Sequence, residues 1–202
     1  IVEADKQFVI IGNINCVTYK EVFPLLKDNK VWMGCTIHSG DREFGVPDEY
    51  PLEAAGCRID ENGKKYIRVK GVRWYTNIDH GRRHNPLSLM SMADNIKYSK
   101  HKDIQGKKYQ HYDNYDAIEI PYTDAIPCDY ENLMGVPVTF LDKYCPEQFD
   151  IIWQACGNTR ASAPKEILDE VGYTIHPEDR GGCGVVNNKR QYARILIRKK
   201  HL

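Results

Sequence analysis

No apolar run in this chain approaches the ~20 residues a membrane helix needs. No cationic stretch precedes the apolar segment of the N-terminus, IVEADKQFVIIGN, so no secretory leader is expected. The seven cysteines, at positions 16, 35, 57, 128, 145, 156 and 183, include no C-x-x-C pair, which removes the usual zinc spacing. An odd count in 202 residues also argues against a disulfide scaffold, so reduced thiols in a cytoplasmic protein are expected. A nucleophilic cysteine needs a base and an electropositive pocket. The sequence offers neither, and a cysteine-dependent hydrolase stands only as a rival reading. The histidines form no H-x-x-x-H pair on a predicted helix, so no metal site is expected. Gly181-Gly182-Cys183-Gly184 opens no helix and carries no G-K-[ST], so it reads as a turn rather than a phosphate cradle. No internal repeat is present. There is no initiator methionine, and a strand-like run begins within eight residues, so the chain is expected to begin partway through a longer protein.

What is present is an ordinary globular composition, 42% hydrophobic, in a chain long enough to bury a core. The zero net charge conceals blocks of one sign. Residues 64–111 hold twelve Lys/Arg against Asp79, Asp94 and Asp103; residues 112–150 hold nine Asp/Glu against Lys143; the last sixteen residues carry six cations and no acid. Such blocks suit a surface for a polyanion, with the acidic block turned away or paired internally. The plainer alternative is that 112–150 simply pairs with 64–111.

Phe8–Ile11 is an unbroken apolar run of the kind buried on both faces of a parallel sheet. Helical spacing over Val17–Asp28, interrupted by Pro24, leads to a second short strand at Lys30–Cys35. Strand, helix, strand implies a crossover and an α/β layer. Residues 36–63 read as a long loop or insertion, and Asn62-Gly63 as a hairpin turn into one long strand, Lys65–Ile78, bent at Gly71. Residues 81–114 are polar and basic, with a turn or two of helix around Leu87–Met92. The stretch 97–112 interleaves Tyr with Lys and His and reads as a mobile segment. Strands are expected at Ala117–Tyr122, at Val136–Leu141 (an edge strand, given Pro137), at Phe149–Gln154 and at Tyr192–Ile197. A helix over Pro164–Val171 is capped by Ser162 and stopped by Gly172.

The most informative stretch is Val72–His84, VRWYTNIDHGRRH. A β-prone run with two aromatics empties into a loop of cations, and rings beside cations can stack on bases and neutralise phosphates. Taken alone it also reads as a core strand followed by a solvated loop.

The strings FVIIGNINCVTYKEVFPLLKDNKVWMG, GVRWYTNIDHGRRH, YDNYDAIEI, MGVPVTFLDKYCPEQFDII and YARILIRKK occur in this order over nearly the whole chain. Together they resemble the region after the catalytic motif in EcoRI-type adenine-specific DNA methyltransferases. The least family-like part is roughly 154–185. The resemblance implies S-adenosylmethionine as methyl donor, the exocyclic amino group of adenine in duplex DNA as acceptor, and a restriction–modification system as the setting. It implies a Rossmann-like sheet with the ligand at the carboxyl ends of its strands and a target base flipped into an aromatic pocket. The family's Asn-Pro-Pro-Phe motif is absent; the sole Asn-Pro, Asn85-Pro86, is followed by Leu87. The cofactor-binding strand is missing too, so the catalytic motif is expected upstream of Ile1 and the cofactor-binding residues are unknown.

The expected fold is therefore α/β: residues 1–80 as the C-terminal strands of a methyltransferase sheet, and 81–202 as a mixed, β-rich target-recognition region. Trp74, Tyr75 and Asn77 are candidates for the base-pocket wall. Because Trp74 and Tyr75 point to opposite faces of a strand, one lines the pocket and the other joins the core. Arg73, His80, Arg82, Arg83, His84, Lys107 and Lys108 are candidates for DNA contact, chiefly to phosphate. Asn13 and Asn15 sit at the end of the first strand, as turn or cap formers. The strand edge at Phe8–Ile11 is expected to drive self-association. A duplex-DNA-binding module without chemistry is the alternative function.

Overall fold

In the computed structural model, which describes residues 2–37, 40–53 and 56–200, the N-terminal run becomes β1 (Val9–Asn13), followed by a 3-10 turn over Ile14–Thr18. Then come the short helix α1 (Phe23–Lys27) and β2 (Trp32–Met33). Pro24 lies in the first turn of α1, where its missing N–H leaves no bond unmade. The expected helix is thereby split into a 3-10 turn and an α turn. Asn13 caps that 3-10 turn: its side chain accepts from the Asn15 amide at 3.0 Å and donates to the Lys70 carbonyl at 2.8 Å.

Residues 36–63 are not one long loop. They supply β3 (Arg42–Gly45) and β4 (Arg58–Ile59), which flank β5 (Lys65–Val69) in a small antiparallel sheet. The expected single strand across Gly71 is two strands in two sheets. Gly71 has φ +67, a left-handed turn, and sends the chain into β6 (Val72–Thr76). β6 inserts between β1 and β2 and runs antiparallel to both. The β1–α1–β2 crossover therefore does join two parallel strands, with a reversed strand between them.

The rest of the chain forms α2 (Met92–Tyr98), β7 (Ala117–Glu119), β8 (Leu133–Pro137), β9 (Phe149–Ala155), α3 (Thr159–Ser162), α4 (Lys165–Glu170), β10 (Val185–Val186), β11 (Lys189–Arg190) and β12 (Arg194–Lys199). A four-stranded sheet runs β7-β8-β12-β9, parallel only at β7·β8. The strand expected at Val136–Leu141 begins earlier and lies inside this sheet rather than at its edge. Pro137 is tolerated there because it is the last residue, after which the chain winds into a 3-10 turn, Val138–Lys143. Ser162 ends α3 instead of capping α4, whose cap is Pro164; Gly172 follows α4 with φ +61.

One apolar cluster draws Val17, Phe23 and Tyr75 from the first eighty residues and Ile118, Phe140, Phe149 and Ile195 from the remainder. A second, around Tyr112, Tyr115, Leu133 and Leu196, covers the other face of the four-stranded sheet. β1 departs most from expectation. It is an antiparallel edge strand with its apolar side chains open, Val9 56%, Ile10 45% and Ile11 48% exposed. Its composition suits burial on both faces, but among the described residues no strand pairs with its outer edge. No described helix is long and apolar enough to cross a membrane.

Candidate nucleic-acid interface

The loop after β6 folds back along the open edge of β2. His80 places Nε2 2.9 Å from the Met33 carbonyl, and Arg82 donates to the Cys35 carbonyl at 3.0 Å. A strand edge needs such a cover, and the cations supply it. Arg83 lies flat on Trp32, 3.7 Å from the ring centroid, and donates to Asn29 Oδ1 at 2.7 Å and Asp79 Oδ1 at 3.3 Å. His84 has Asp79 2.9 Å from Nε2 and Glu147 2.7 Å from Nδ1. With a carboxylate at each ring nitrogen the charged imidazolium is favoured. The bonds to Asp79 and then Glu147 raise the His84 pKa, and His84 in turn holds both carboxyls below their usual range. The loop expected to grip DNA is thus largely neutralised by its own acids. Arg82 with Lys143 still borders a cavity of about 270 Å³ that also has Asp124 in its wall.

Arg73 was expected at the surface and is instead buried. Its side chain is 5% exposed and its guanidinium meets both oxygens of Asp142, at 2.7 and 2.9 Å. Strand alternation places Arg73 on the same face as Tyr75, the core face, and only a buried acid makes that tolerable. Tyr75 is the core partner of the aromatic pair, its hydroxyl donating to the Asn13 carbonyl at 2.7 Å. Trp74, half-buried, stands on the opposite face in register with Ile11. Asn77 uses both ends of its amide as a staple, accepting from the Phe8 amide at 3.0 Å and donating to the Lys6 carbonyl at 2.9 Å. It also lies at the amino ends of β1 and β2, because β6 runs the other way.

The acidic block pairs with the basic ones. Arg73–Asp142, His84–Glu147 and Lys100–Asp124 bind 64–111 to 112–150. Arg194–Glu119 and Lys200–Asp150 bind the C-terminal block. Segment 97–112 is anchored by buried Ile104 and by His101, stacked on Tyr122 at 3.7 Å. Within the segment Lys107 and Lys108 are exposed, Lys107 lying 4.0 Å from Asp103.

One feature had no signal in the sequence. The chain leaving the carboxyl end of β1 reaches Tyr19, Lys20 and Glu21 before α1. Lys20, Glu21, Phe23, Trp153, Gln154 and Ser162 line a cavity of about 320 Å³, and an adjoining one of about 490 Å³ adds Tyr19 and Asn158. Gln154 is 1% exposed, and neither its amide nitrogen nor its oxygen has a hydrogen-bond partner among the described residues. The Trp153 indole N–H is likewise unpartnered.

No cysteine is in a disulfide, and no group of His, Cys, Asp and Glu among the described residues could hold a metal. Burial raises the Cys145 thiol, which donates to Glu147, and raises Cys183 as well. A nucleophilic thiol needs the reverse.

The chain is 40% identical over its whole length to the type II methyltransferase M.EcoRI of Escherichia coli, covering 53% of that protein. It is 32% identical to M.MgeORF184P of Mycoplasma genitalium, with 100% of this chain and 60% of that one covered. With M.MpnI of Mycoplasma pneumoniae it is 28% identical, over 99% of this chain and 59% of that one. The chain thus spans little more than half the length of these relatives. No solved structure matches it. The model of the family described as adenine-specific methyltransferase EcoRI matches residues 1–200, and the chain therefore belongs to that family.

Proposed function

We propose that this chain supplies target recognition and the far strands of the catalytic sheet to an S-adenosylmethionine-dependent adenine methyltransferase acting on duplex DNA in a restriction–modification system. The observation that carries the proposal is the similarity to adenine-specific methyltransferases over residues 1–200. The sheet geometry supports it. β1 and β2 are parallel strands joined by a helical crossover, as in a Rossmann-like sheet. Among the described residues the outer edge of β1 has no strand partner, and Val9, Ile11 and Trp74 share a face. In the whole enzyme a further strand pairs with β1 and a further layer covers those side chains. The division at residue 80 is then functional rather than a gap in packing, since one core crosses it.

The residues present do not fit the cofactor. Gly181–Gly184 has the composition of a cradle, but a Cβ on Gly182 would stand 2.5 Å from that of Thr159, so protein already fills the space. The Asn-Pro-Pro-Phe motif is absent from these 202 residues, and no step of transfer is assigned to this chain.

Its contribution is to receive the target base. Trp74 remains a wall candidate, while Tyr75 and Asn77 are engaged elsewhere. The cleft at the carboxyl end of β1 suits a flipped adenine better. Tyr19 is an exposed ring for stacking, and the Gln154 amide has a donor and an acceptor unengaged, the pair that recognises an adenine edge. The test is methyl transfer: the whole protein, incubated with methyl-labelled S-adenosylmethionine and duplex DNA, is expected to place label on adenine N6. A folded whole protein that labels no duplex overturns the proposal.

A further inference from the structure

The sequence separates two groups of cations by about eighty residues, and the fold brings them together. β10 and β11 form a hairpin closed by two residues, Asn187 (φ 50) and Asn188 (φ 60). Two consecutive left-handed residues make the tight turn that matches strand twist. The hairpin sits on the turn before β7: Asn187 donates to Gln110 Oε1 at 3.2 Å, and the Asn188 amide to Asp113 Oδ2 at 2.7 Å. Gln110 donates to the Lys108 carbonyl at 2.9 Å. The hairpin and the turn therefore bring Lys108, Lys189 and Arg190 together, all three exposed and with no ion pair among the described residues, Lys189 and Arg190 on opposite faces of the narrow ribbon. Asp113 lies at the tip, its carboxylate accepting from the Asn188 amide. Tyr192, 89% exposed, follows directly.

The base of this hairpin is rigid. Asn114 donates to the Cys183 carbonyl and accepts from the Val185 amide, both at 2.9 Å, and the Tyr115 hydroxyl donates to the Gly182 carbonyl. Asp179 accepts from Arg160, Tyr173 and the amides of His176 and Gly181. Arg73, Arg83 and Arg194 are consumed by acids of the chain itself. Here a stiff, narrow ribbon holds cations out to solvent, and a two-stranded ribbon fits the major groove of B-DNA.

We propose that the β10–β11 hairpin tip and the Lys107–Gln110 turn beneath it form a contact surface for the phosphate backbone of duplex DNA. The inference rests on the reading of the chain as the recognition part of a DNA methyltransferase, and it places the grip here rather than in the loop after β6.

The test is binding of this chain to a fluorescein-labelled duplex, followed by anisotropy over a range of salt. Changing Lys108, Lys189 and Arg190 together to Gln should lower the slope of log K against log salt by about 3 and weaken binding at least tenfold at ~0.1 M salt. Lys30→Gln with Lys165→Gln, a change of charge elsewhere on the surface, should leave the slope unchanged, since neither residue lies in the proposed contact. A parent that binds while the triple variant keeps its slope overturns this inference and leaves the methyltransferase reading standing. Equal losses in both variants also overturn it, showing diffuse charge only. A parent that binds no duplex overturns it too, and methyl transfer by the whole protein then judges the wider reading separately. Protection of Lys108 and Lys189 from acetylation by bound duplex, read by mass spectrometry on unmodified protein, is expected as well; its absence when DNA is bound counts against the surface whatever the variants' stability.

Discussion

The four-stranded sheet and the three-stranded β1-β6-β2 sheet both carry apolar strands and end in different states. The four-stranded sheet is covered on both faces: Ile195 and Ile197 of β12 enter one cluster, and Leu196 between them enters the other. Its charges are enclosed as well, with Arg194 bonded to Glu119 at 2.5 and 2.9 Å and the Tyr112 hydroxyl on the same carboxylate. In the three-stranded sheet only the face carrying Tyr75 and Met33 joins the core, while β1 leaves Val9, Ile10 and Ile11 open. An apolar strand left half-uncovered is a surface shaped for contact; a strand buried on both sides is a scaffold. The first sheet makes the fold stable, and the second leaves an apolar strand open.

Truncating side chains in the two sheets should separate them most sharply. Phe149→Ala is expected to lower stability by about 3–5 kcal/mol and Ile195→Ala by about 2–5 kcal/mol, since both remove buried volume. Ile11→Ala, the same chemistry on the open strand, should change it by no more than about 0.5 kcal/mol. Urea unfolding of the three variants measures the gap. In the whole enzyme Ile11→Ala should become as damaging as a core change if the proposed layer covers it; an unchanged small effect there would remove the case for that layer. In this chain alone the open edge should pair with a second copy, giving concentration-dependent mass by light scattering that Ile11→Lys abolishes.

A comparable loss is expected where the two sheets are joined. Arg73 of β6 and Asp142 after β8 form the ion pair that ties them, both side chains about 5% or less exposed. Removing one partner strands a buried charge, so Arg73→Ala should cost about 3–5 kcal/mol. The variant Arg73→Met with Asp142→Leu should recover much of that, because a well-filled apolar pair replaces the ions. If the double variant is as unstable as the single one, the pair does more than join surfaces.

Gln154 offers a smaller effect of opposite sign. A buried amide with no partner is a burden on the fold, so Gln154→Leu is expected to stabilise the chain by about 1 kcal/mol. In the whole enzyme the same change should raise KM for DNA without matching loss of fold. A gain in stability with unchanged kinetics would leave the cleft without its assigned role.

How much of this could be read from residues depends on how far apart the deciding partners lie. β7, β9 and β12 were legible from their apolar patterns. Alternation along β6 also placed Trp74 and Tyr75 on opposite faces and gave the core to one of them. The same alternation puts Arg73 with Tyr75, but its partner is 69 residues away, and no local pattern announces a buried pair at that range. Gly71 was read as a bend when it is a change of sheet, because a left-handed residue marks where a strand ends without saying which sheet continues. The β10–β11 hairpin had a local signal, the Asn-Asn pair between two-residue strands, which the reading of the adjacent glycines as the turn obscured. Charge blocks were legible as composition, but not which cations would stay unpaired.

The finest contrast between the sheets is a response to pH in the brace along β2. Hydrogen bonds from Asp79 and Glu147 raise the His84 pKa above its ordinary value of 6.5. A group whose pKa is raised on folding stabilises the fold below its unfolded pKa, and that contribution is lost as pH rises through the folded value. Asp79 and Glu147 are lowered from 3.8 and 4.5, so their contribution is present above those values and is lost as pH falls through the depressed ones. The brace should therefore be firmest between the carboxylate range and about pH 6.5, and loosen on the alkaline side as His84 gives up its proton. Because Arg83 of the same turn lies on Trp32, indole fluorescence should follow that loosening, and the His84 ring protons should titrate in NMR with a pKa above 6.5. His84→Gln should remove the alkaline change in fluorescence and leave the unfolding of the four-stranded core nearly untouched. An unshifted His84 titration would mean that the two carboxylates do not hold the ring in solution, and that the loop after β6 is open to other partners after all.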